Sequence, residues 1–435
     1  MTAPKEPAGL EIGALLSRAL SEGWITNEDT AAVFFDLGLL AARLERLRRA
    51  FPTSALHTTA IKANPLLAVL KRMAGWGAGA EAASLPELKL AARAGFPAET
   101  IVFDSPAKTR EEIRYALAAG AYLNADNLDE VERIADAIGE MRGGPGGQAR
   151  PARAGLRLNP QVGTGRISAT STAGVYSKFG VPIAEQRDAL RAAFARHDWL
   201  RGVHVHVGSQ ACAPELLVAG IRRTLDFLEE LRRERGATRP PIDTFDIGGG
   251  LPVAYRDGET EISARDYAGA LASACPALFD GRLRIVTEFG RHLHAHSGWV
   301  ASRVEYVKTV ADIPTAILHV GADLFSRECG EPDFWYHHVT VHDDQGRPRG
   351  AGERLWNLAG PLCFSGDMPA VGVPLPEVHP GDFVVLHDAG AYTFSMASRY
   401  NSRPSPKVIG YSSPAGPFEV LRPRESIEGV LSSWS

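Results

Sequence analysis

Cysteine is scarce in this chain. The four cysteines, Cys212, Cys275, Cys329 and Cys363, stand far apart and form no Cys-x-x-Cys pair. That spacing argues against a disulfide framework and against a thiolate metal centre. No metal is expected, and a reducing cytoplasm is the expected compartment. An excess of one charge is lacking too: 47 Lys and Arg stand against 51 Asp and Glu, a net charge of −4. Without a broad basic field, nucleic acid and anionic membrane are poor partners. No uninterrupted apolar run is long enough to cross a bilayer. The opening MTAPKEPAGLEIGALLSRAL has no basic stretch leading into an apolar core, so a signal peptide is not expected. What is present is an ordinary globular composition, 45% hydrophobic and 23% charged, in 435 residues, enough for two domains.

Short β-prone runs alternate with helix-like stretches over the first two thirds of the chain. The strand candidates are LHTTAIK (56–62), GAEAAS (79–84), TIVF (100–103), AYLNA (121–125), AGLRLN (154–159), GVHVHVG (202–208), DTFDIG (243–248) and LRIVTE (283–288). Between them REEIRYALAAG (110–120), LDEVERIADAIGEM (128–141) and LLVAGIRRTLDFLEELRRERG (216–236) space apolar residues as an amphipathic helix does. Eight β/α units predict an α/β fold, a closed parallel (β/α)8 barrel of the TIM type over residues 46–300. GGPGG at 143–147 reads as a flexible loop before the fifth strand. Over 301–435, strand-like pieces (WVASRVEYVKTV, TAILHVG, DFVVLHDAG) alternate with Gly/Pro turns and predict a C-terminal all-β domain.

Barrel active sites lie at the C-terminal ends of the strands. Those ends carry Lys62, Glu81 and Ser84, Arg157 and Asn159, His206 and Ser209, Gly248–Gly250, and Glu288 to Arg291. A lysine closing an apolar strand is desolvated, which lowers its pKa and frees the amine to form an imine; a solvated strand-end lysine is the bland alternative. Gly248, Gly249 and Gly250 bare their backbone N–H groups to a phosphate, although a triple glycine alone is also a common turn. Ser209 can add a hydroxyl, and His206 can stack on a planar cofactor. A carboxylate buried at Glu288 needs a cationic or hydrogen-bonded partner, and a protonated pyridine nitrogen supplies one, making the ring a strong electron sink. Arg291 can reach a phosphate or form a surface ion pair. Cys363 and Asp367 in GPLCFSGD (360–367) read equally as a packed thiol and a turn cap, and DAGAYTFSMASRYNSRPSP (388–406) as an ordinary hairpin.

In order along the chain, AIKANP, GLRLNP, SKFG (177–180), HVHVGSQ, FDIGGG, EFGR, GPLCFSGD and GAYTFSMASRYNSRP resemble the motifs of the alanine-racemase-fold, pyridoxal-phosphate-dependent decarboxylases, most closely the diaminopimelate decarboxylase branch. The resemblance implies an N-terminal segment (1–45) that joins the β-domain. It also implies a head-to-tail homodimer with shared active sites and a small amino acid, free or carrier-bound, as substrate. Pyridoxal 5'-phosphate would sit on Lys62 beside Glu81, with His206 stacked on its ring. Ser209, Gly248–Gly250, Gly290, Arg291 and Tyr392 would surround the phosphate, Glu288 would pair with the ring nitrogen, and Arg157 would support it from behind. Cys363 from the other subunit would protonate the carbanion. Arg327, Phe364, Asp367 and Tyr392 fall at substrate positions.

Departures from the pattern bear on the substrate. Phe364 directly follows the cysteine where the family has Glu or Asp for a distal ammonium. HVGADLFSR (319–327) replaces the Asp-Gly-Gly opening and lacks the Pro after Arg327. Thr58 and Thr59 stand where a Tyr is usual, and EFGR replaces EPGR. An unpaired ammonium beside an aromatic ring costs several kcal/mol, on the order of 2–5, which favours an amino acid other than diaminopimelate. Diaminopimelate decarboxylase remains the alternative reading. Glu288 argues against a racemase, which places arginine at the ring nitrogen, and the joint presence of Lys62, Glu288 and Cys363 argues against a non-catalytic binding relative.

Overall fold

The computed structural model describes residues 8–143, 153–167, 170–256, 259, 261–350, 352 and 354–435. The glycine-rich loop expected at 143–147 therefore lies, after Gly143, outside the described residues. The chain divides into two compact units, Arg43–Val253 with Glu261–His292, and Met1–Ala42 with Ala254–Thr260 and Leu293–Ser435.

Unit one is a closed barrel. Its strands are β1 (Leu56–Ala60), β2 (Gly79–Ala82), β3 (Ile101–Asp104), β4 (Tyr122–Ala125), β5 (Ala154–Asn159), β6 (Leu200–His204), β7 (Thr244–Asp246) and β8 (Arg284–Thr287). Each pairs in parallel with its successor, and β8 closes on β1 through Val286 opposite Leu56. Strands covered on both faces read as near-continuous apolar runs, and β1, β2 and β5 are buried at every residue. At the floor Leu56, Val102 and Val286 pack together; toward the C-terminal ends the inward residues turn polar, and that change makes the site. The helix Arg110–Ala119 shows how locally the connections are specified. Thr109 and Glu112 form a reciprocal capping box at its start, and Gly120 closes it at φ 82°.

Two strands are shorter than their sequence pattern. β1 stops at Ala60, and Ile61–Ala63 form one 3₁₀ turn with Ile61 and Ala63 buried. This turn carries Lys62 past the last ladder bond. β6 stops at His204 although the alternation runs on to Gly208, because the chain beyond changes partners. Val205 N still donates to Asp246 O of β7, but Thr172 N donates to Val207 O and Ser209 N to Thr170 O, so 206–209 pairs with the 170–172 loop instead of the barrel.

The second unit is mostly β. Its long strand, Gly298–Val310, pairs with Ala31–Asp36, Ile313–Leu318 and Phe383–Leu386. Residues from Leu293 to 300 belong here because this strand is continuous from Gly298. Ala31–Asp36 also runs parallel to Lys407–Tyr411, which places the N-terminal segment inside this sheet. Phe34 stacks on Trp299 at 3.9 Å, and Ile12, Leu15 and Leu16 of the helix Ala8–Ser21 close the core over them. The hairpin expected over 388–406 does not form. That stretch makes two short 3₁₀ turns, Phe394–Met396 and Tyr400–Ser402, with Asp388, Tyr392 and Asn401 at positive φ. Backbone in that conformation leaves the extended ladder a hairpin needs.

Candidate active site

At the barrel mouth Lys62 Nζ donates to Glu81 Oε2 at 2.6 Å. Glu81 is wholly buried while Lys62 remains 38% exposed, so the amine is the member of the pair that a ligand can reach. Burial pushes Glu81 up to about 8, against the opposing Lys62 charge and with Glu288 and Asp104 adding to the rise. Gly290 packs its bare Cα against this turn: a Cβ there would meet Ala63 Cβ at 2.7 Å and Ala60 Cβ at 2.9 Å.

Opposite, Gly248–Gly250 follow β7 with Gly248 at φ 67° and Gly250 at φ 98°. A Cβ on Gly248 would meet Val205 O at 2.5 Å, one on Gly249 would meet Glu288 O at 2.6 Å, and one on Gly250 would strike Gly208 O. No side chain fits, so the segment presents backbone alone. Gly249 N donates to His206 Nδ1 at 3.0 Å. That bond makes Nδ1 an acceptor and puts the ring proton on Nε2; burial likewise lowers His206, so the ring is a flat neutral imidazole. Ser209 is half-buried and Arg291 buried at the same rim.

Glu288 follows β8 and is buried, and neither of its carboxylate oxygens has a hydrogen-bond partner among the described residues. Burial raises its pKa, but His204, His206 and Lys62 outweigh it and hold the carboxyl below its usual value. A charged, buried carboxylate without a donor is a socket for a cationic N–H. Arg157 lies deeper, its Nη1 3.5 Å from Asp104 Oδ2 and its guanidinium 4.4 Å from the Phe179 ring. The SKFG motif thus supplies a floor beneath that arginine.

A reactive amine, a side-chain-free backbone cradle, a flat neutral ring and an anion awaiting an N–H suit a phosphorylated pyridine aldehyde. Residues 37–295 match the family described as "Pyridoxal-dependent decarboxylase, pyridoxal binding domain". The chain belongs to the pyridoxal-dependent decarboxylases. It is a carboxy-lyase that uses pyridoxal phosphate. Among its relatives, the diaminopimelate decarboxylase of Pseudomonas fluorescens is 34% identical over 348 residues, 79% of this chain and 78% of that protein. That of Campylobacter jejuni is 32% identical over 410 residues, 93% and 96%. A crystal structure of the Helicobacter pylori enzyme complexed with L-lysine superposes with a TM-score of 0.82 at 27% identity, covering 95% of this chain and 99% of that one.

Within the sheet unit of this decarboxylase, Arg327 lies over two rings, Trp335 at 4.6 Å and Tyr392 at 4.7 Å. Cys363 is exposed, with its backbone N–H on Asn401 Oδ1 at 2.8 Å. Phe364 is 45% exposed and meets Tyr400 edge-on at 6.0 Å, so it is not a core residue. Asp367 fastens its own loop. Its Oδ1 accepts from Ala322 N and its Oδ2 from Leu362 N, each at 2.6 Å, and it is buried. This is the turn-cap role its loop position suggested. Sequence reasoning passed over His204 and Asp104. Alternation could have found His204, since residues two apart on a strand face the same side, and Asp104 closes β3 at the catalytic end of the barrel.

Proposed function

We propose that this enzyme removes the α-carboxylate of an amino acid that lacks a distal ammonium, with the reaction centred on Lys62. When bound, the cofactor supplies the electron sink for the pair left behind as carbon dioxide departs. Lys62 Nζ is the amine that carries it. Its free-amine form is the one that attacks an aldehyde, and the exposed Nζ is within reach of one. Gly248–Gly250, with Ser209 and Arg291, offer donors to a phosphate. Glu288 would accept the N–H of the ring nitrogen, Arg157 braces the buried acids beside it, and the His206 ring would stack on the cofactor ring. Tyr392 is assigned to the phosphate by its matching position in the family pattern.

Phe364 carries the substrate proposal: its aromatic ring stands where an ammonium-binding acid is usual, and the nearby Asp367 is fully engaged. Arg327 favours a distal carboxylate or a phosphate-like group. The second reading, a meso-diaminopimelate decarboxylase, draws on the names of the relatives. A screen of carbon dioxide release by the cofactor-loaded enzyme across acidic, neutral and diamino substrates separates the two. Highest kcat/KM on a diamino acid would reject the first reading.

We further propose a cytoplasmic homodimer in which Cys363 of one subunit serves the other's site as the proton donor to Cα. Cys363→Ala is expected to bind the cofactor normally and to lose about 10²–10⁴-fold in turnover. Mixing inactive Lys62→Ala with inactive Cys363→Ala subunits is expected to restore part of the activity, since some hybrid sites combine both intact residues. Verified subunit exchange without recovery would refute the shared site. No helix among the described residues is long and apolar enough to cross a membrane.

A further inference from the structure

Two imidazoles flank Glu288. His206 Nδ1 and His204 Nε2 each lie 3.8 Å from the same oxygen, Oε2. Only one of them can give it a proton. His206 Nδ1 already accepts the Gly249 N–H at 3.0 Å, so it carries no hydrogen to donate. His204 is wholly buried, and neither of its ring nitrogens has a hydrogen-bond partner among the described residues. Its Nε2 is within an ångström of hydrogen-bond length from Oε2. Its other nitrogen, Nδ1, lies 3.6 Å from Asp104 Oδ2, which Arg157 Nη1 also approaches at 3.5 Å. Arg157, Asp104, His204 and Glu288 therefore form a row running from the barrel wall to the socket for the ring nitrogen.

We propose that His204 is a positioning residue for Glu288: it donates Nε2–H to Oε2, keeps that carboxylate ionised and leaves Oε1 directed to the cofactor's ring nitrogen. Buried polar groups in such a row are costly unless satisfied and rigid when they are. Burial outweighs the opposing pull of Asp104 and Glu288 and leaves His204 lowered to about 4, so a neutral ring with one proton is its working form. With that proton on Nε2, Glu288 Oε2 gains its donor. With it on Nδ1, Glu288 has no donor, and burial drives the carboxyl to take up a proton of its own, so it can no longer accept strongly from the ring N–H.

The inference rests on Glu288 pairing with the ring nitrogen, and the test separates the two. Holoenzyme reconstituted with cofactor ¹⁵N-labelled in the ring reports by NMR whether that nitrogen is protonated. The protonated signal is expected in wild type and in His204→Gln, whose amide can still donate. It is expected to be lost in His204→Leu, with the cofactor Kd raised on the order of tenfold. Glu288→Gln should also lose it; retention there would overturn the pairing and the inference together. Loss in Glu288→Gln with full retention in His204→Leu overturns the inference alone. Should His204→Leu fail to fold, ¹⁵N-histidine-labelled wild-type holoenzyme decides: a hydrogen-bonded Nε2–H at His204 supports the row, and a bare Nε2 overturns it.

Discussion

Lys62→Ala is expected to cut carbon dioxide release on the order of 10⁴-fold or more, a loss typical of removing the group that forms the covalent link. The loss should appear with the barrel intact. Lys62 sits in a 3₁₀ turn between buried Ile61 and Ala63, and its own side chain is not part of the core. Folding should in fact tolerate the change well. The change strands buried Glu81, which can meet the loss by keeping its proton, since burial raises its pKa to about 8 even against the Lys62 charge. The same lysine should be trapped chemically: borohydride treatment of the yellow wild-type enzyme is expected to place the reduced cofactor on the peptide carrying Lys62. Mass mapping of the adduct to another lysine, or Lys62→Ala retaining more than a few per cent of wild-type kcat/KM, would overturn the assignment.

The reach of the sequence differed between the two halves of the site. In the barrel, parallel strands buried on both faces leave apolar runs whose ends are easy to find, and Lys62, Glu81, His206 and Glu288, named from those ends, come together in the structure. What a linear pattern did not disclose is how far each strand continues. His206 and Ser209 sit beyond β6 because 206–209 exchanges its partner for the 170–172 loop, and that choice is made by residues some 35 positions away. The second row of the site was missed for a related reason. Asp104 and His204 acquire meaning only through distances of 3.6 and 3.8 Å to groups on other strands. In the sheet unit the signal was weaker still. Asp367 was legible as an acid in a loop, and the structure shows that acid serving the loop itself, with two backbone N–H groups on its oxygens. The 64 residues between Arg327 and Tyr392 carry no periodicity that would announce one ring lying under that guanidinium.

Phe364→Glu is expected to raise kcat/KM on meso-diaminopimelate by tens- to thousands-fold and to lower it on the natural substrate. The argument is one of charge. A carboxylate beside a buried distal ammonium is worth about 2–5 kcal/mol, most of it the cost of leaving the cation unpaired, and about 1.4 kcal/mol corresponds to a factor of ten. Wild type has no such group at this position, and two acids near it in the chain, Asp367 and Glu331, have hydrogen-bond partners of their own. Asp367 is buried with both oxygens accepting backbone N–H groups, and Glu331 takes the Trp335 Nε1–H at 3.1 Å. Phe364 is 45% exposed with its ring edge-on to Tyr400, so a glutamate can replace it without opening a cavity in the core. Stability should therefore change little, and a kinetic effect can be read as specificity. Arg327 marks the other side of the comparison: Arg327→Leu should weaken substrates with a distal carboxylate and leave the cofactor spectrum unchanged. The decisive result is the pair of kcat/KM values for Phe364→Glu and wild type on meso-diaminopimelate. If wild type already turns it over at 10⁴ M⁻¹s⁻¹ or above, roughly the lower bound of ordinary enzymes, and the glutamate lowers that value, Phe364 does not exclude the distal ammonium and the substrate proposal fails.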